Sequence, residues 1–99
     1  MRVAWSSGAE KDLLQIWNYL AREASIENAN RQIEKIRQLS RLLSEQPQAG
    51  RLRNSLIRGI RSIATPPYVL FYRLSDDAVQ IVRVVHGKRD IEAILRDAP

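Results

Sequence analysis

The chain contains no cysteine. Disulfide staples, thiolate nucleophiles and sulfur-ligated zinc are therefore outside its chemistry, and a reducing compartment is permitted rather than required. Histidine is almost as scarce. His86 stands alone, so a zinc site of ordinary ligand spacing lacks the imidazoles to be built, and neither metal nor cofactor is expected. No glycine-rich phosphate loop exists, because Gly59 and Gly87 are isolated turn or bulge residues. None of the serines lies in a nucleophile elbow, and the carboxylates fall mainly on helix surfaces, where ion pairing explains them better than paired acid/base work. No apolar run approaches the ~20 residues of a membrane span, and no amino-terminal apolar stretch has signal-peptide length. These absences lead to the expectation of a soluble, cytoplasmic protein with no membrane partner.

The 99 residues are expected to form one domain, 1–99, burying roughly 65% of the unfolded surface. The net charge of +5 and isoelectric point near 10.2 point to an anionic partner, either nucleic acid or an acidic protein. The excess is mostly arginine, whose planar fork suits phosphate and carboxylate. The alternative is that surplus arginine serves only solubility.

Two apolar strands written back to back carry the clearest structural signal. Tyr68–Leu74 and Val79–Val85 flank a Ser75-Asp76-Asp77 turn and read as a β-hairpin. Ahead of them, Met1–Trp5 alternates like a short half-buried strand. Ser7-Gly8-Ala9-Glu10 has capping-box spacing and opens a helix with Leu13, Ile16, Trp17 and Leu20 on one face, ending around Glu23. Ser25 caps a second helix with an apolar stripe of Ala29, Ile33, Ile36, Leu39 or Ser40, and Leu43. Gln46–Gly50 stops it. Arg51–Asn54 reads as a basic loop, and Leu56–Ala64 as a strand interrupted by Gly59. Thr65-Pro66-Pro67 turns the chain into Tyr68. Ile91, Ile94 and Leu95 predict a closing helix with Asp90 as its N-cap. The class is α+β: an N-terminal strand at a sheet edge, an antiparallel helical hairpin packed on a three- to four-stranded, largely antiparallel sheet, and a short C-terminal helix.

Arginines on or beside that sheet are the remaining candidates for function. Strict alternation puts Val69, Phe71 and Arg73 on one face of the penultimate strand. In the last strand it puts Val79, Ile81, Arg83 and Val85 on one face and Gln80, Val82, Val84 and His86 on the other. Arg73 and Arg83 each interrupt an apolar face, either covering it with their stems or facing a groove that awaits a partner. His86 is a candidate acid/base, imidazole being the side chain that most readily changes charge near neutral pH, although a strand-end histidine more often bonds its local turn. Arg58 and Arg61 flank Gly59, at a solvated strand edge or at a phosphate or carboxylate contact. Trp5 and Trp17 fit core anchors.

The β-α-α-β-β-β order, Gly59-Ile60-Arg61, Tyr68-Val-Leu-Phe-Tyr72-Arg73 and Val84-Val85-His86-Gly87-Lys88-Arg89-Asp90 together resemble the RelE/ParE superfamily of bacterial type II toxin–antitoxin toxins. The helix opening Ala9-Glu10-Lys11-Asp12-Leu13, with Ile16, Trp17 and Tyr19, is also typical, so the likeness spans essentially the whole chain. It implies a growth-inhibiting toxin held silent by an acidic antitoxin segment that wraps it in a hetero-oligomer. The RelE-like branch cleaves mRNA on the ribosome with basic side chains on the sheet and commonly a Tyr or His near the C-terminus. Laid along that pattern without gaps from Gly59, this chain has Ile60 and Ser62 in place of lysines, Val69 in place of an arginine and Leu95 in place of a tyrosine. Only Arg89 keeps its basic character. Cleavage needs a base, an acid and cations for the phosphorane, and most of that set is absent.

The His86–Asp90 ending and the Pro66-Pro67-Tyr68 turn resemble the ParE-like branch, which poisons DNA gyrase without known nuclease activity. On this resemblance the target-binding residues are Arg58, Arg61, Lys88 and Arg89, with the tail to Pro99. The antitoxin-binding residues are Val69, Phe71, Arg73, Ile81 and Arg83, or a groove beside the first helix. No catalytic residue is expected. The competing reading is a ribosome-dependent mRNA endonuclease with Arg61, Arg83, His86 and Arg89 as its dispersed set. A third is a decayed member that binds antitoxin but has lost toxicity.

Overall fold

The computed structural model describes residues 1–96. Elements follow in the order β1 (Arg2–Trp5), α1 (Ser7–Glu23), α2 (Ile26–Glu45), β2 (Arg51–Leu52), β3 (Arg61–Thr65), β4 (Tyr68–Leu74), β5 (Ala78–His86) and α3 (Ile91–Arg96). The sheet has five strands in the order β1-β5-β4-β3-β2. β1 joins at the edge, parallel to β5, and the other pairings are antiparallel. The expectation of three to four strands is corrected to five. Arg51 and Leu52, read as loop, pair with Ser62 and Arg61 as a short edge strand.

Both helices turn their predicted apolar stripes toward the sheet, although Ile16, Trp17 and Leu20 of α1 and Ile33 and Leu39 of α2 are only half-buried. Ala9 and Leu13 of α1, and Ala29, Ile36, Ser40 and Leu43 of α2, are buried. Of these, Ala9, Leu13, Ile36 and Leu43 pack with Tyr68, Leu70, Tyr72, Val79, Ile81 and Val84 in the main core, on the helix side of the sheet. Trp17 and Trp5 are half-buried. Trp17 Nε1 donates to Asn30 Oδ1 at 2.8 Å, tying α1 to α2, and the Arg37 guanidinium lies 5.0 Å over the Trp5 ring.

Three local expectations shift. The α1 cap is Ser6 rather than Ser7. Its amide donates to Ile81 O at 2.9 Å, extending the β1–β5 ladder, and its hydroxyl accepts from Ala9 N at 3.0 Å while donating to Val82 O at 2.7 Å. Leu56–Ile60 is a turn, not a strand, because Gly59 adopts φ +81° and its amide donates to Asn54 Oδ1 at 2.8 Å. Leu56, Ile57 and Ile60 consequently fold over the other side of the sheet. There they form a second core with Phe71, Val82, Val85, Leu95, Val69, Ile91 and Ile94. Finally, a bulge shifts the β4–β5 register: Phe71 faces Arg83 but Tyr72 faces Ile81, leaving Val82 unpaired. Strict alternation along β5 therefore fails at that point, and Ile81 and Phe71 lie in opposite cores.

Asp90 Oδ1 accepts from Ala93 N at 3.2 Å, so the expected acidic cap opens α3. Among the described residues no helix is long and apolar enough to cross a membrane.

Candidate functional site

Asp12, Gln15, Ile16, Tyr19 and Leu20 follow the i, i+3, i+4, i+7, i+8 spacing that puts them in one stripe of α1. That stripe forms one wall of a groove of about 550 Å³, whose other wall is Pro67, Tyr68, Val84, Val85, His86 and Arg89. Ile16, Leu20, Tyr68 and Val85 line it with apolar surface, while Tyr19 stands 55% exposed at the rim.

A bidentate ion pair sets the floor. Arg83 Nε donates to Asp12 Oδ2 at 2.7 Å and its Nη2 to Oδ1 at 2.8 Å. Oδ2 also accepts from Val84 N at 2.8 Å, so the buried carboxylate pins α1 to β5 at the bulge. The hydrogen bonds that Arg83 donates to Asp12 push its pKa up, against the opposing effect of desolvation. Sequence reasoning missed this pair by assigning carboxylates to helix surfaces. The signal was there, because Asp12 sits within the apolar stripe of Ala9, Leu13 and Ile16.

At the far end, the Tyr68 and His86 rings meet edge-on at 5.7 Å. Burial pushes the Tyr68 phenol up, and Tyr19 adds to the shift. His86 Nδ1 accepts from Lys88 N at 3.1 Å, so the histidine closes its own turn as strand-end histidines commonly do. Arg89 N closes the same turn on His86 O at 3.0 Å.

The sequence-predicted residues separate into distinct places. Arg83, His86 and Arg89 share the groove. Arg61 does not: it pairs with Tyr72, while His86 pairs with Tyr68, a separation of ~13 Å along β4. Arg61 Nη1 donates to Gly50 O at 2.8 Å and reaches Gln48 O at 3.4 Å. Arg58 is exposed in the Asn54–Gly59 turn, whereas Lys88 and Arg89 are exposed beyond β5. Val69, Phe71 and Ile81, grouped by the sequence as antitoxin-binding residues, do not share one face. Phe71 is buried with half-buried Val69 under the Leu56–Ile60 turn and α3, and Ile81 is buried beneath the helices. Arg73 is exposed on the side away from α1 and α2. The last residues of the expected tail, 97–99, lie outside the described residues.

A helical hairpin on one side of a mixed sheet, a second small core on the other and a cleft beside the first helix define the class: a small, basic α+β protein built like the toxins of toxin–antitoxin pairs. The chain belongs to the ParE toxin family of type II toxin–antitoxin systems, whose family model matches residues 3–91. It is 32% identical over 88 residues to toxin RelE2 of Caulobacter vibrioides, covering 89% of this chain and 97% of the relative. It is 28% identical over 94 residues to toxin ParE3 of the same organism, covering 95% and 94%. Among solved structures, a chromosomal ParDE toxin–antitoxin system from P. aeruginosa superposes with a TM-score of 0.77 at 23% identity, over 87% of this chain and 95% of that one. The RelBE2 toxin–antitoxin complex of Mycobacterium tuberculosis gives 0.68 at 24%, over 86% and 95%. These two likenesses concern the fold.

Proposed function

We propose that this chain inhibits growth by binding DNA gyrase, and that an acidic antitoxin segment silences it by occupying the groove between α1 and the β4–β5 end. The observation that carries this reading is how the candidate catalytic cations are engaged. Arg83 is held bidentate by Asp12 and Arg61 is bonded to backbone carbonyls. Ile60, Ser62 and Leu95, which stand where the resemblance puts nuclease side chains, are buried. A cleavage site needs a free base, a free acid and converging cations. Arg58, Lys88 and Arg89 remain exposed as target contacts. Within the groove, Ile16, Leu20, Tyr68 and Val85 supply apolar surface, and Arg89 supplies the charge to pair an acidic helix. Arg73 offers a further antitoxin contact outside it.

Purified gyrase titrated with the chain should lose supercoiling or accumulate cleaved DNA, and the antitoxin should reverse the effect. Intact gyrase activity at stoichiometric chain would sink the reading. Tyr19→Ala and Arg89→Ala should weaken antitoxin binding with the fold retained, as read by isothermal titration.

One observation favours a second reading: Arg83, His86 and Arg89 do line one cleft. If the chain is instead a ribosome-dependent mRNA endonuclease, translating ribosomes should yield cleaved mRNA that His86→Ala abolishes.

A further inference from the structure

Between Glu45 and Asp76 the chain carries no acidic residue, yet this stretch holds five arginines: Arg51, Arg53, Arg58, Arg61 and Arg73. The fold gathers three of them on one side of the sheet. β4 is regular, so Arg73 shares the face of Val69 and Phe71, turned away from α1 and α2. Arg51 lies opposite Ser62, which lies opposite Phe71. The Arg53 guanidinium reaches Ser62 Oγ at 3.2 Å. Strand spacing and rise put the Cα atoms of Arg51 and Arg73 ~12 Å apart.

Among the described residues none of these three arginines has a carboxylate partner. The Leu56–Ile60 turn and α3 cover only part of this face, leaving Arg51, Arg73 and Gln80 exposed. A cavity of about 250 Å³ lies beside Arg73 and Gln80, lined also by Ala4 and Val82. Guanidinium groups without carboxylate partners, gathered on one face of the sheet, suit a backbone of repeated phosphates. Base stacking is not on offer there. Phe71 is fully buried, and Trp5, which also borders the cavity, packs against the helix-side core with Arg37 over its ring. Single-strand binding relies on such aromatic platforms, so the face fits a duplex held through its phosphates.

We propose that this arginine face binds the phosphate backbone of duplex DNA, independent of sequence. The inference goes beyond the gyrase reading and is tested with DNA alone, so its failure leaves that reading standing. Fluorescence anisotropy of a labelled duplex, titrated with the full chain between ~50 and ~200 mM salt, measures affinity and its salt dependence. Arg51→Gln/Arg53→Gln/Arg73→Gln should weaken binding and lower the salt slope by about 2 to 3, because each phosphate left without its arginine removes about 0.9. The charge-matched set Lys11→Gln/Arg31→Gln/Lys35→Gln, exposed on α1 and α2, should leave the slope unchanged. Thermal melting confirms that each variant folds, and Arg51→Gln/Arg73→Gln, at two exposed sites, serves if the triple variant does not. Equal losses from both sets would show undirected charge and overturn the proposal. So would a single-stranded oligonucleotide bound as tightly as the duplex, or no binding at ~50 mM salt.

Discussion

Asp12 and Tyr72 each join segments distant in sequence through a small number of polar atoms. Asp12 accepts two bonds from Arg83 and one from the Val84 amide. Asp12→Asn leaves a largely buried guanidinium without its counter-charge and should cost about 3 kcal/mol in urea unfolding. A cycle with Arg83→Gln should show strong coupling, since the two changes remove one interaction. Tyr72 is fully buried; its hydroxyl accepts from Gly50 N and donates to Pro47 O, both at 2.8 Å. Tyr72→Phe strands both backbone groups and should cost about 1–3 kcal/mol. Gly50→Ala should cost more, because its Cβ would stand 2.5 Å from that hydroxyl.

Tyr68 and Tyr72 also set an alkaline limit. Burial raises both phenols above 10.0, outweighing for Tyr72 the Gly50 hydrogen bond and the nearby Arg61. Above ~10 the unfolded phenols ionise while the folded ones hold their protons, so the folded state binds more protons and stability falls as pH rises. Below that range this contribution is fully present. Chemical denaturation between pH 9 and 11 should show the decline, and Tyr72→Phe should flatten it.

At the scale of elements, the junctions matter more than the elements themselves. Ser6 ends β1, caps α1 and bonds β5 through one hydroxyl. Ser6→Ala should cost about 1–2 kcal/mol, the upper end of an ordinary cap. The short α3 is held by Leu95, which is 2% exposed beside Phe71 and Val85. Leu95→Ala should cost about 2–4 kcal/mol and loosen α3 first, detectable as lost amide protection across Ile91–Arg96. The bulge at Val82 also shapes the groove. Immediately beyond it, the Arg83 side chain and the Val84 main-chain amide meet on Asp12.

Over the whole molecule, the groove and the arginine face lie on opposite sides of the sheet, so an antitoxin segment and a polyanion compete only where both use Arg73. An antitoxin segment that binds only the folded chain should stabilise it by about 2.7 kcal/mol at a free concentration 100-fold above Kd. Thermal melting with and without the segment checks this, and Tyr19→Ala should diminish the gain.

The amphipathic periods of α1 and α2, the hairpin of β4 and β5, the Pro66-Pro67 turn and the Asp90 cap were all legible in the sequence, because each depends on residues within a turn or two of one another. So were the excess of arginine and the resemblance to ParE toxins, which rests on the order and spacing of those same local elements. What the tertiary structure alone decided are pairings between distant segments. Among them are β2 on β3, the Leu56–Ile60 turn folded over Phe71, the β-bulge that parts Ile81 from Phe71, and the Asp12–Arg83 clasp. Local pattern fixes which side chains alternate or recur, but the face they occupy is set by the partner strand's register. One unpaired residue in β5 changes that register for everything beyond it.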